Sequence, residues 1–163
     1  MTKHDYNKRT KFAILGKLES KYYAPYDDES WVILTMGLHK DHELLQRVDR
    51  CFDIHLEHKV ENFNADIKRD EFPIDECKKL VGGNYFCTTS AYLIAYAILH
   101  GATEISLYGM RFDIDHDRRL EEKRNVREMV FFARGRGIKV YDYDGIVTKE
   151  YDEVNDGVTD FDG

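Results

Sequence analysis

Three hydroxyl residues in a row, Thr88-Thr89-Ser90, stand directly before the apolar stretch Ala91 to Leu99. Short hydroxyl side chains at that point bond the free N–H groups of a helix's first turn. Those N–H groups, with the positive end of the helix dipole behind them, also suit a phosphate or a carboxylate. Capping alone accounts for the same residues, so both uses stand open. Arg111 follows the next strand-like run, and its planar guanidinium is the group that clamps an anion through two parallel bonds. An ion pair with Asp113 or Asp115 is its competing use. Lys17 is a further cation expected near the same place.

Glycines punctuate the ends of the apolar runs. Gly16 with Ser20, Gly37 and Gly109 each follow a strand-like segment, where a backbone without Cβ lets a ligand approach, or simply turns. Asp53 and His55 occupy alternate positions of the run CFDIHL, so an extended chain points both to one side. As a pair they would serve as acid and base or touch a ribose; a half-buried structural histidine is the plainer reading. Histidines are plentiful around His39, His42, His55 and His58, yet strand residues three apart face opposite sides and no HExxH occurs, so no metal site is assigned. Asp113, Asp115, His116 and Asp117 would suit Mg2+ beside a phosphate, or form an exposed charged loop. Cofactors are otherwise unknown. Glu121, Glu122 and Arg124 open the last long helical pattern, where carboxylates favour the helix dipole whatever the function.

The elements that must position these groups are legible from apolar periodicity. KFAIL, WVILTM, CFDIHL, EISLY and IKVYDY read as five strands. KLESKYYAPYDDES suits a loop crossing the sheet. His39 to Arg50 shows one helical face through Leu44, Leu45 and Val48, and Arg118 to Arg134 shows another through Val126, Met129, Val130 and Ala133. Ala91 to Leu99 is apolar on nearly every side and is therefore a buried helix, ended by His100 and Gly101. Residues 57–83 give no firm pattern beyond a helical turn opened by Pro73. Strands alternating with helices predict a Rossmann-like three-layer α/β sandwich on a mainly parallel five-stranded sheet, order 3-2-1-4-5. The ligand crevice of such a sheet lies where the order reverses, between the loops after Gly16 and Gly109. The loops at Gly37, His55 and Thr88 to Ser90 should face the same space.

Composition narrows the classes. With 163 residues, 42% hydrophobic and 34% charged, the chain reads as one globular domain over residues 1–149. Residues 150–163 carry six acids and no Lys or Arg, which reads as an acidic tail; without them the net charge of −7 falls to −1. No basic excess points to nucleic acid, and no apolar run is long enough to cross a membrane. A cytoplasmic setting is the default. Cys51, Cys77 and Cys87 are odd in number and lack CxxC spacing, so reduced thiols are expected. Eleven Tyr and nine Phe permit a homo-oligomeric surface, although aromatics on strands belong mostly to cores.

The run TTSAYLIAYAILHGATEISLYGM resembles a segment of MptE-like (DUF115) proteins, in which a Ser/Thr-rich turn enters a small-residue helix, then a GA or GC turn and a strand ending in G-x-D. That group includes pterin diphosphokinase-like enzymes and flagellin glycosylation factors, with a more distant echo in bacterial sialyltransferases. The CFDIH run and the E-x-x-R-N sequence at Glu121 to Asn125 are similar to small, often phage-encoded Rossmann-like proteins. Two positions depart from the larger enzymes. G-x-G-P-S after the first strand is here Gly16-Lys17-Leu18-Glu19-Ser20, and G-x-D after the fourth is Gly109-Met110-Arg111. The resemblance implies a nucleotide as the small anionic ligand, transfer of a phosphoryl, diphosphoryl or glycosyl group, and ligand contact by Glu121 and Arg124. The two departures motivate the alternative, a ligand-sequestering or protein-interaction module without turnover.

Overall fold

The computed structural model describes residues 2–36, 47–55, 65–110 and 117–145. Six strands, β1 (Lys11–Leu15), β2 (Trp31–Met36), β3 (Arg50–Asp53), β4 (Ile67–Lys68), β5 (Glu104–Tyr108) and β6 (Lys139–Asp142), form one sheet of order β4-β3-β2-β1-β5-β6. Every pairing is parallel. The five predicted strands hold their expected order, and the sheet gains one strand at the β3 edge. That addition, β4, is two residues long and lies in the stretch whose pattern was unreadable. So short a run is below the length at which alternation becomes a signal.

Helices α1 (Ile74–Val81), α2 (Thr89–Leu99) and α3 (Asp117–Gly135) share a single apolar cluster with Phe12, Ile14, Val32, Leu34, Ile105, Leu107 and Val140. All three therefore cover the same face of the sheet. Alternate residues Ala13, Leu15 and Ile33 point to the other face, where Ala24 and Tyr26 cover them. Handedness explains the division. From β1 the chain steps one way to β2 and, later, the other way to β5, so right-handed crossovers pass on opposite sides. The β1-to-β2 crossover, residues 16–30, has only a 3-10 turn, Glu19–Tyr23. Ala24 then extends, as a residue before proline must. The chain thus forms a Rossmann-like α/β fold. Of the helix expected over His39 to Arg50, residues 39–46 lie outside the described residues, Arg47 to Asp49 are not helical, and Arg50 opens β3. The acidic tail also lies outside them.

Each helix ends as its sequence dictates. Pro73 precedes α1, and Gly82 at φ 88° closes it by taking bonds from its N–H to Lys78 and Lys79 carbonyls. Ser90 to Ala97 of α2 are buried, because sheet, α1 and α3 surround the helix. At the carboxyl end of α2, Tyr96 reaches the amino-terminal segment. Its hydroxyl lies 2.8 Å from His4 Nδ1 and 2.5 Å from Tyr6 Oη, while its ring stacks on His100 at 4.1 Å. Burial pushes the Tyr6 phenol up to about 12. No helix among the described residues is long and apolar enough to cross a membrane.

Two glycines join the ends of β1 and β5. Gly16 donates to Tyr108 O at 2.6 Å, and Leu18 donates to Gly109 O at 3.0 Å. A Cβ on Gly16 would sit 2.2 Å from Gly109 O, and one on Gly109, at φ 70°, would sit 2.8 Å from Leu18 O. Alanine at either position is expected to cost about 3 kcal/mol in urea unfolding. Gly101→Ala, at φ 81° but with open space around it, should cost about 1 kcal/mol. His100 supplies a pH test. Burial holds its pKa below the usual histidine value, so the folded state stays neutral where the unfolded chain takes a proton. Stability should therefore fall as pH drops below about 6.5, by at most about 1.4 kcal/mol per pH unit. His100→Gln should remove that part of the slope in Tm measured against pH.

Candidate functional site

The amino end of α2 is built from both neighbouring elements. Thr88 stays extended, at φ −139° and ψ 146°, and its Oγ1 accepts from Ser90 N at 3.4 Å. Ser90 is buried and its hydroxyl donates to Met36 Sδ at 3.2 Å, which sets this helix end beside the carboxyl end of β2. Thr88 and Thr89 remain half-buried. No acidic residue occupies the first turn of α2, in contrast to Asp75 and Glu76 in that of α1. The positive end of the α2 dipole is thus left without a carboxylate of its own helix.

A second residue holds this end in place, and it was not singled out from sequence. Asn125 of α3 is buried, accepts from Cys87 N at 2.9 Å through Oδ1 and donates to Tyr85 O at 3.1 Å through Nδ2. Tyr85 in turn donates to Glu128 Oε2 at 2.7 Å; burial first, then Glu128, raises its pKa. The clamp fixes residues 85–87, from which Thr88 begins. Glu121 and Arg124 of the same E-x-x-R-N run are exposed, and with α3 starting at Asp117 they lie a turn inside the helix rather than at its opening. The available signal was an Asn in the interior of an amphipathic pattern, where it is a poor helix former without another task.

Gly16, Ser20 and Gly109 come together where β1 and β5 end. There the Ser20 hydroxyl lies 2.6 Å from Gly109 N, from which it accepts, and donates to Asp144 Oδ2 at 2.7 Å. Gly109 N also reaches Asp144 Oδ2 at 2.9 Å. Ser20 and Asp144 thus fill the space next to Gly109. The helix end meets β2 instead, one strand over from that crevice.

Asp53 and His55 lie beyond β2, at the end of β3. The strand stops at Asp53, so strict alternation does not reach His55; the Asp53 carboxylate accepts from His55 N at 3.3 Å. His55 is exposed and borders an open cavity of about 910 Å3 with Lys68, Arg69, Phe72 and the first turn of α1. Arg69 donates to Ile54 O at 3.0 Å. Lys68, Arg69 and Lys78 are matched there by Asp70, Asp75 and Glu76, a balance that does not select an anion. Gly37, Arg111 and Asp113 lie outside the described residues, as do His39, His42 and His58. Among the described residues, no three His, Cys, Asp or Glu side chains are grouped to hold a metal ion. Cys51 and Cys77 are buried and Cys87 is exposed, and none of the three forms a disulfide among the described residues.

Asn125→Ala removes the acceptor of Cys87 N and the donor to Tyr85 O. A loss of about 2–3 kcal/mol is expected in chemical denaturation, with faster hydrogen exchange at Cys87 to Ser90 than elsewhere in α2.

No family model matches the chain, and no curated protein matches it. The MptE-like and phage-type resemblances accordingly rest on the quoted residues alone. Among solved structures, the sialyltransferase CST-II, in complex with a trisaccharide acceptor and CMP, is similar over 90% of this chain and 92% of that one, at 15% identity and a TM-score of 0.47.

Proposed function

We propose that the protein binds a nucleotide at the carboxyl edge of its parallel sheet and acts as a transferase on a nucleotide or nucleotide-sugar. The observation that carries this reading is the amino end of α2, hydroxyl-lined, with no acid in its own first turn and seated beside Met36 at the end of β2. The positive end of the helix dipole there favours an anion. Thr88, Thr89 and Ser90 would hold the phosphates. Asp53 and His55, next along the sheet edge, would orient the sugar or base, and Arg111 would neutralise charge developing on the phosphates during transfer. A Mg2+ ion would arrive with the nucleotide, as that cation keeps several waters and is commonly held through phosphates rather than in a protein cage.

One observation favours a second reading, a binding module without turnover. The Ser20 hydroxyl and the Asp144 carboxylate occupy the place beside Gly109 where a reacting group would approach the switch point. Product formation from any bound nucleotide separates the two readings.

Thermal unfolding against ATP, CTP, CMP and UDP-sugars tests the proposal. A ligand at 100 times its Kd should add about 2.7 kcal/mol of stability. Thr88→Val should abolish most of that gain while costing the free protein about 1 kcal/mol for the lost cap. A flat Tm across all four ligand types would remove the nucleotide reading.

A further inference from the structure

The turn after β6 carries groups that nucleotide binding leaves unused. Tyr143 lies there with its ring 5.6 Å from Tyr23 and 5.5 Å from Tyr108, centroid to centroid. Interplanar angles of 33° and 31° tilt the Tyr143 ring against both neighbours, so the three rings are joined through Tyr143. Tyr23 is 61% exposed and Tyr143 57%. Asp144 adjoins the row. Its Oδ2 is pinned by Ser20 Oγ and Gly109 N, while its Oδ1 takes no hydrogen bond among the described residues.

We propose that this rim binds a neutral saccharide. A sugar ring has one face of C–H groups and an edge of hydroxyls. The first packs on aromatic surface, and the second donates to a carboxylate whose direction is already fixed. Other ligands match the rim less well. A phosphate would meet the Asp144 charge at Oδ1. A cation would find the Asp144 charge already shared between two donors, Ser20 Oγ and Gly109 N. Preorganisation favours the site as well: Ser20 is buried, and two donors hold Asp144 before any ligand arrives. The inference goes beyond the nucleotide reading and does not require it; joined to it, the rim would receive the group that accepts the transferred sugar.

Saturation-transfer NMR with maltotriose, lactose and methyl mannoside, each at millimolar concentration and without nucleotide, tests the site. Transfer to the C–H protons of one face of at least one sugar is the expected result. Tyr143→Ala and Tyr23→Ala, both at exposed positions, should each weaken that binding about tenfold with Tm unchanged, and Asp144→Asn about fivefold. No transfer to any of the three sugars, or equal transfer with the Tyr23→Ala/Tyr143→Ala double variant, would overturn the proposal. Since no nucleotide enters the assay, either result leaves the nucleotide test standing by itself.

Discussion

The contact between Gly16 and Gly109 sets the geometry on which the rest of the carboxyl edge depends. Two adjacent parallel strands send their chains away in opposite directions, and at the point of parting their backbones approach closer than any side chain permits. Only the absence of Cβ at both positions allows it, and Gly109 must also take the left-handed conformation. From that contact follow the course of residues 16–30 over one face, the delivery of Ser20 to Gly109, and the place of Asp144 on the turn after β6. A Rossmann-like sheet usually opens a crevice at this point. Here the crevice beside Gly109 is lined by the protein's own hydroxyl and carboxylate.

The open groups consequently divide between two places on the same edge. On the β2–β3 side stand the amino end of α2, Met36, Asp53 and His55; on the β5–β6 side stand the tyrosine row and Asp144. At the first place the α2 dipole presents its positive end, next to the Asp53 carboxylate and the balanced charges around His55. The second combines aromatic surface with one fixed carboxylate. Both sit at carboxyl ends of strands, where parallel sheets gather loops and where helix amino ends point. The amino edge is different in kind. His4, Tyr6, Tyr96 and His100 form a partly buried aromatic and hydrogen-bonded cluster there that ties His4 and Tyr6 to α2.

How much of this was legible in the chain varies with how local the cause is. KFAIL, WVILTM and EISLY could be read as strands because each is an uninterrupted β-compatible run with a turn residue or charge at its ends. Thr88 as cap and Gly101 as the left-handed stop follow from bonds made within a few residues. The segment between β3 and α1 was opaque because β4 holds only two residues and pairs with a distant strand. Arg47 to Asp49 carried the tail of a helical pattern, yet Asp49 instead accepts from Ile33 N at 2.7 Å and pairs with Arg9 and Arg47. Bonds of that range outweigh a few tenths of a kcal/mol of helix propensity.

By itself the sequence determined the order of the five strands it could show, the buried character of α2 and its capped start. Each of these depends on apolar period, residue size or backbone freedom, all of which are properties of short stretches. Only the tertiary structure decided that α1, α2 and α3 share one face, that Asn125 rather than Glu121 or Arg124 serves the start of α2, and that Ser20 belongs with Asp144. It alone gathered Tyr23, Tyr108 and Tyr143 into one row. Those pairings join residues 35 to 124 positions apart, and a hydroxyl or ring carries no local mark of the partner that folding will bring to it.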